Sequence, residues 1–357
     1  MSTKKISSLH DDLELPFAER GMPDFDSAKE YPARHEKIGR HGEFSTFNEF
    51  LQFGFDWSML RNNESCDPRD LSREDFFQLI RNVLDKHYDL MTASIYREWH
   101  EMSHLDQWRE IESVADTYNL SDARIVRTRK DVVDRKQAVM LIALEGADCM
   151  RELSEVEKLF KLNVRMVGIQ YNRENALAAD GLTAIGRAIV TRIFEYGMIV
   201  DMAHALPKTR NDILIIAESL GFSAVTYSHG ATVKDLRMDS RGFGFAERRG
   251  ITEQEISKIT HLGGIIGLGV TRPFFQNIEH ICQCIDGVCQ NSGNHKGVGI
   301  GSDFGGVPNH WEIGIKTPGD FDKIRDLLSV SFGYGDDVIE DILKLNIPNW
   351  LYHVLPK

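Results

Sequence analysis

The sequence predicts an α/β fold of the (β/α)8 barrel type, and three observations carry that expectation. Apolar runs of strand length alternate with longer helix-like stretches through residues 49–357, the pattern of parallel strands joined by crossover helices. Eight such runs can be picked out, the number that closes this barrel. Two of them, AVMLIAL from Ala138 and GGIIGLGV from Gly263, are apolar without alternation, as strands covered on both faces are. A chain of 357 residues has room for one barrel of about 250 residues or more plus an addition, or for two domains of about 150. No repeat, low-complexity segment or Pro/Gly/Ser linker divides residues 49–357, so one barrel is expected there.

Residues 1–48 are rich in Asp, Glu, Arg, His and Pro without a sustained apolar period, which predicts an irregular arm lying over the body. The first strand is expected at FLQFGF from Phe50. LSREDFFQLIRNVL from Leu71 reads as a helix, with Ser72 able to cap it and Glu74 and Asp75 suited to the first-turn dipole. YDLMTASIY from Tyr88 is the second strand, and YREWHEMSHLDQW, with Trp99 and Trp108, reads as a helix packed on the barrel, with the pocket mouth as the alternative place for the tryptophans. AVMLIAL from Ala138, VRMVGIQY from Val164 and GMIVDM from Gly197 are the next strands. TRNDILIIAESLG is a helix closed by Gly221, a residue type that accepts the left-handed position at a helix end. SAVTYS from Ser223, GGIIGLGV from Gly263 and GVGIG from Gly297 complete the barrel, with HICQCIDGVCQ as the helix before the last strand.

Composition narrows the function. With 54 acidic against 42 basic side chains and a net charge of -12, nucleic acid and anionic membrane surfaces are unfavourable partners. No run approaches the roughly 18 apolar residues of a spanning helix, and the start, MSTKKISSLHDDLEL, has no apolar signal core. A soluble, cytoplasmic protein is expected. Its five cysteines are then reduced thiols. Cys282, Cys284 and Cys289 beside His280 lack the paired C-x-x-C of a structural zinc site and are expected at the surface or half-buried.

Active-site groups of such barrels project from the C-terminal ends of the strands. AVMLIAL runs into Glu145, GMIVDM into Ala203-His204, SAVTY into Ser228-His229 and GVGIG into Ser302-Asp303. Singly, each has an ordinary use as a helix start, a hydrogen-bonded imidazole or a turn cap. Together on one rim, two imidazoles and a carboxylate suit Zn²⁺ with a position left for water. Asp303 is a candidate to hold that water or take its proton.

At these residues the chain resembles the metal-dependent dipeptidases related to renal (membrane) dipeptidase, peptidase family M19 of the amidohydrolase-like barrels. The resemblance runs through LIALEGAD, VRMVGIQYNREN, GLTAIGRAIVTRIFEYGMIVDMAH, TYSHG, ERRGITEQEI, HLGGIIGLGV and GVGIGSDFGG. It implies that Glu145 bridges two zinc ions and that His204 and His229 are ligands of the second. Asp303 then faces the nucleophilic water and the substrate's free amine. Arg249, with Arg248 as a possible substitute, binds the terminal carboxylate, a partner suited to a bidentate guanidinium. Tyr171 stands where renal-type members have a histidine that steadies the oxyanion, and a phenol can donate that hydrogen bond.

The family's first strand ends in His-x-Asp, which supplies the remaining ligands of the first zinc. FLQFGFDWSML has no histidine, and the triplets present are His10-Asp11-Asp12 and His87-Tyr88-Asp89. KKISS before the first makes a poor buried strand, and His87 follows a helical segment. The family's DFDG is DFGG here, which removes a second rim carboxylate. The expected activity is hydrolysis of a dipeptide or similar small amide with one or two zinc ions, in a chain that forms homodimers as relatives do. The alternatives are a barrel that has given up hydrolysis and serves as a binding partner, or one that opens a lactam or lactone or performs a lyase step.

Overall fold

In the computed structural model the described residues are 5–11, 81, 84 and 88–357, with breaks at 97–98, 100–101, 122, 134–136, 237–242, 272–273, 305–312 and 316–317. The strand expected from Phe50, the first ten residues of the helix expected from Leu71, Asp12 and His87 lie outside the described residues.

Among the described residues, eight parallel strands close a barrel: β1 (Ile6–Asp11), β2 (Tyr88–Ile95), β3 (Val139–Leu144), β4 (Val164–Gly168), β5 (Ile199–Asp201), β6 (Val225–Tyr227), β7 (Ile265–Leu268) and β8 (Val298–Ile300). Each pairs with the next, and β1 returns to β8 with Ser8 opposite Ile300. Around them lie α1 (His104–Leu120), α2 (Ser154–Lys161), α3 (Ala184–Glu195), α4 (Pro207–Leu220), α5 (Phe243–Arg249), α6 (Glu253–His261), α7 (Ile278–Ser292), α8 (Phe321–Phe332) and α9 (Asn346–Val354). The architecture is the (β/α)8 barrel that the alternation of runs predicts. No helix among the described residues is long and apolar enough to cross a membrane.

The first strand is the main departure. Ile6–Asp11 is a barrel strand, buried at all six positions, and not part of an irregular arm. Its serines looked unsuited to an interior, yet their hydroxyls are paired there. Ser7 Oγ donates to the Lys344 carbonyl at 2.7 Å. Ser8 Oγ donates to the His10 carbonyl at 3.2 Å and accepts from Ser302 N at 3.1 Å. A buried hydroxyl with partners loses little of what it gave up in water.

The other runs follow their chemistry. Val139–Leu144 is buried at every position, as a strand covered on both faces must be. Helix α4 ends at Gly221 with φ 71°, and α6 begins with a reciprocal cap between Thr252 and Glu255. Trp108 lies on the buried face of α1, and its indole donates to Glu155 at 2.9 Å. Gly267 and Gly301 pack against the Ser228 carbonyl, where an added Cβ would sit 1.9 and 1.8 Å from the oxygen. The glycines of GGIIGLGV and GVGIG therefore let the chain around His229 seat deeply. Cys282, Cys284 and Cys289 on α7 are buried, deeper than the surface or half-buried positions expected. Burial raises the Cys282 thiol to about 12 and Cys289 to about 11, so both stay protonated.

Candidate metal centre

Because the strands run in one direction, their C-terminal ends gather the candidate residues on one rim. Glu145 follows β3, His204 follows β5, His229 follows β6, Asp303 follows β8, and His10 is the penultimate residue of β1. All five side chains are nearly buried. Glu145 Oε1 lies 2.7 Å from His204 Nε2, 3.5 Å from His10 Nε2 and 3.7 Å from His229 Nε2. The Nε2 atoms of His204 and His229 are 2.8 Å apart, and His10 Nε2 is 3.9 Å from Asp303 Oδ1. Two overlapping donor groups result, Glu145 with His204 and His229, and His10 with His229 and Asp303.

Neighbours hold each group in place. The Glu145 amide donates to the Ile95 carbonyl at 2.9 Å, and its own carbonyl accepts from Trp99 Nε1 at 2.8 Å. Asp303 has φ 61° and donates its amide to the His10 carbonyl at 3.0 Å. That joins the ends of β8 and β1 through a left-handed residue, a conformation Asp tolerates better than most. Each histidine turns Nδ1 outward: His10 to Ser94 Oγ at 3.0 Å, His204 to Asn172 Oδ1 at 3.0 Å and His229 to Ser228 Oγ at 2.9 Å. Asn172, also left-handed at φ 59°, donates its amide to the His204 carbonyl at 3.2 Å. Tyr171 stacks on the His204 ring with centroids 4.2 Å apart, and Tyr96 packs on Tyr171 at the same distance.

This donor set fits a divalent ion. With Nδ1–H assigned to Asn172 by the hydrogen-bond network, His204 points a lone pair at a carboxylate oxygen and at a second imidazole nitrogen. Such electron-rich atoms repel at these separations unless a cation lies among them. Burial pushes the His204 and His229 imidazoles well below their ordinary range. Arg249 and His10 push His204 further the same way, and His10, His204 and Arg249 do so for His229. Both stay neutral near pH 7, the form that ligates metal.

The remaining candidates separate clearly. Arg249, the last residue of α5, is buried, with Nη1 donating to the Ala203 carbonyl and the guanidinium 5.6 Å from the Phe274 ring. Arg248 is exposed and donates to the Gly244 carbonyl at 3.1 Å. Asp11 accepts from Ser302 Oγ and from Tyr88 OH and bridges to Phe304. Asp89 pairs with Lys344 at 3.0 Å at the start of β2, at the opposite end from the rim.

Sequence reasoning missed several residues. Asn172 and Ser94 bond the candidate ligands, and Trp99 holds Glu145, although the sequence placed it on a packed helix. Arg210, inside α4, donates to the carbonyls of Ala205, Arg248 and Gly250 and pairs with Glu255 at 2.6 Å. It therefore ties the loop of His204 to the loop of Arg249. The one local signal was a guanidinium at helical spacing from the apolar Ile213, Leu214 and Ala217 of α4.

The sequence matches the family model described as membrane dipeptidase (peptidase family M19) over residues 83–350, well over half of the chain. The chain belongs to peptidase family M19. This M19 chain is similar to the dipeptidase tcpJ of Claviceps purpurea (strain 20.1), with 24% identity over 272 residues, 70% of this chain and 60% of that one. Of three curated relatives that it matches, the chain spans 44% to 60% of the length. The structure of dipeptidase AC, an M19 metallopeptidase, aligns with a TM-score of 0.69 at 14% identity, covering 99% of this chain and 100% of that one. A metallopeptidase from Rhodobacter sphaeroides, liganded with a phosphinate mimic of the dipeptide L-Ala-D-Ala, aligns at 0.63 and 16%, covering 99% of each. At these identities the structural likeness is one of fold.

Proposed function

We propose that this M19 chain is a metal-dependent hydrolase that cleaves the amide bond of a dipeptide or similar small amide, with zinc as its ion. One observation carries the reading: Glu145 Oε1, His204 Nε2 and His229 Nε2 converge within 2.7 to 3.7 Å, separations that a shared cation makes favourable. Glu145, His204 and His229 would hold one ion. An imidazole nitrogen has one lone pair, so His229 serves only one ion. His10, with Glu145 and Asp303 beside it, is left to hold a second.

A divalent ion held by these residues would acidify a water and polarise the scissile carbonyl. Asp303 is the base, taking the proton of the attacking water on its carboxylate and later delivering it to the leaving amine. Arg249 binds the substrate's carboxylate through N–H groups other than the one given to Ala203. Tyr171, packed on His204, offers a phenol to the developing oxyanion. The family match and the dipeptide mimic bound by the Rhodobacter relative support a dipeptide-like substrate. The reading of a barrel without hydrolysis drew on the missing first-strand histidine, and His10 at the end of β1 weakens it.

Stripping the protein with a chelator, restoring zinc and assaying a panel of dipeptides, lactams and N-acyl amino acids tests the proposal. Zinc-dependent release of amino acids from at least one dipeptide is expected. Turnover confined to lactams, or none with any substrate, would contradict it.

A further inference from the structure

Behind His229 lies a polar chain whose direction is set by its first member. Asp201, the last residue of β5, and Ser228, just past β6, are both buried. Asp201 Oδ1 accepts the amides of Ser228 at 3.0 Å and Ala203 at 3.1 Å, and Oδ2 accepts the Ser228 hydroxyl at 2.6 Å. Ser228 Oγ in turn lies 2.9 Å from His229 Nδ1. We propose that Asp201, acting through Ser228, is a positioning residue that fixes His229 in the tautomer whose unprotonated Nε2 faces the rim.

The number of hydrogens in this chain of groups fixes its direction. A carboxylate only accepts, and a hydroxyl has a single hydrogen to give. Once that hydrogen lies on Asp201 Oδ2, Ser228 Oγ offers His229 only lone pairs. Nδ1 must then carry the imidazole proton, and Nε2 is left as the lone pair beside Glu145 Oε1 and His204 Nε2. Two backbone amides on one oxygen and the hydroxyl on the other hold the plane of the carboxylate in place. The backbone reinforces this, because the Ser228 carbonyl is wedged against Gly267 and Gly301. The inference rests on the reading of His229 as a metal ligand, and concerns how this chain prepares it.

Asp201→Asn preserves the shape and reverses the chain. The amide oxygen keeps the two backbone donors, so the amide nitrogen faces Ser228 Oγ and donates to it. The hydroxyl hydrogen then turns to His229 Nδ1, and the proton moves to Nε2. The test pairs zinc titration against a chromophoric chelator with the ¹⁵N signature of the His229 ring in metal-free protein. The unmodified protein should show the Nδ1–H form. Asp201→Asn should show Nε2–H, with zinc affinity lower by about 10- to 100-fold, the usual cost of disturbing a group behind a ligand, and unfolding still cooperative. Ser228→Ala should weaken zinc less, since it removes the link without reversing it. An Nε2–H form in the unmodified protein, or Asp201→Asn with unchanged zinc affinity, would overturn the proposal. If Asp201→Asn does not fold, the tautomer of the unmodified protein decides. Failure of that protein to bind zinc would defeat the proposed function instead, and the tautomer would still test the relay.

Discussion

His10 Nε2 lies 3.5 Å from Glu145 Oε1, so the first strand of the barrel delivers an imidazole to the carboxylate at the end of the third. If that imidazole holds the second ion, His10→Ala should lower zinc content from two ions per chain to one and cut hydrolysis by on the order of 10²-fold or more. Mass spectrometry of the intact metal-loaded protein reads the stoichiometry directly. Unchanged zinc content in His10→Ala would remove His10 from the ligand set.

Asp303→Asn separates base from ligand. Asn accepts the left-handed backbone at φ 61°, so the fold should persist. Loss of the base should lower kcat by about 10²- to 10⁴-fold with zinc largely retained. A variant with parental kcat would move the proton transfer elsewhere.

Arg249→Lys keeps the charge and loses the planar fork. Loss of a charge-assisted hydrogen bond costs about 1.5–3 kcal/mol, so kcat/KM for a dipeptide should fall by roughly 10- to 100-fold, mostly through KM. Removing the substrate's carboxylate by amidation should erase the difference between variant and parent.

Arg210 reaches three carbonyls and Glu255 from a fully buried position. Arg210→Met leaves those acceptors unsatisfied and should destabilise the protein by about 3 kcal/mol, read by urea unfolding. A loss below about 0.5 kcal/mol, the range of ordinary surface substitutions, would show that the two loops hold without it.

Asp235 and His280 give a pH dependence away from the rim. Burial alone would raise the Asp235 carboxyl, but hydrogen bonds from His280, at 3.1 Å, and from Thr232 and Cys284 hold it below its ordinary range. A depressed folded value means the unfolded chain binds this proton more readily. The carboxylate therefore stabilises the fold above about pH 4, its unfolded value, and that contribution fades as pH falls through the folded one. Asp235→Asn should cost about 1–3 kcal/mol at pH 7, with the gap to the parent narrowing below about pH 4. Chemical unfolding at a series of pH values measures it, and a gap independent of pH would exclude the hydrogen-bonded carboxylate as its source.

Legibility followed the range of the interactions. The runs at Tyr88, Ala138, Val164, Gly197, Ser223, Gly263 and Gly297 form strands as read, because their burial is written in their own apolar side chains. ISSLHD was not read as a barrel strand, because what allows Ser7 and Ser8 inside are partners at Lys344 and Ser302, far away in the chain. Glu145, His204, His229 and Asp303 come together on one rim because each follows a strand, a relation that sequence order displays. Asn172, Ser94 and Arg210 gain their positions only from hydrogen bonds across loops, and a local pattern carries no trace of those.

The central claim is a metal centre on the rim that serves hydrolysis. Anomalous diffraction at the zinc edge, from crystals of protein stripped and reloaded with zinc, tests it most directly. The account predicts one peak bonded to Glu145, His204 and His229 and a second beside His10 and Asp303. Reloaded crystals with no anomalous peak at Glu145 would contradict it.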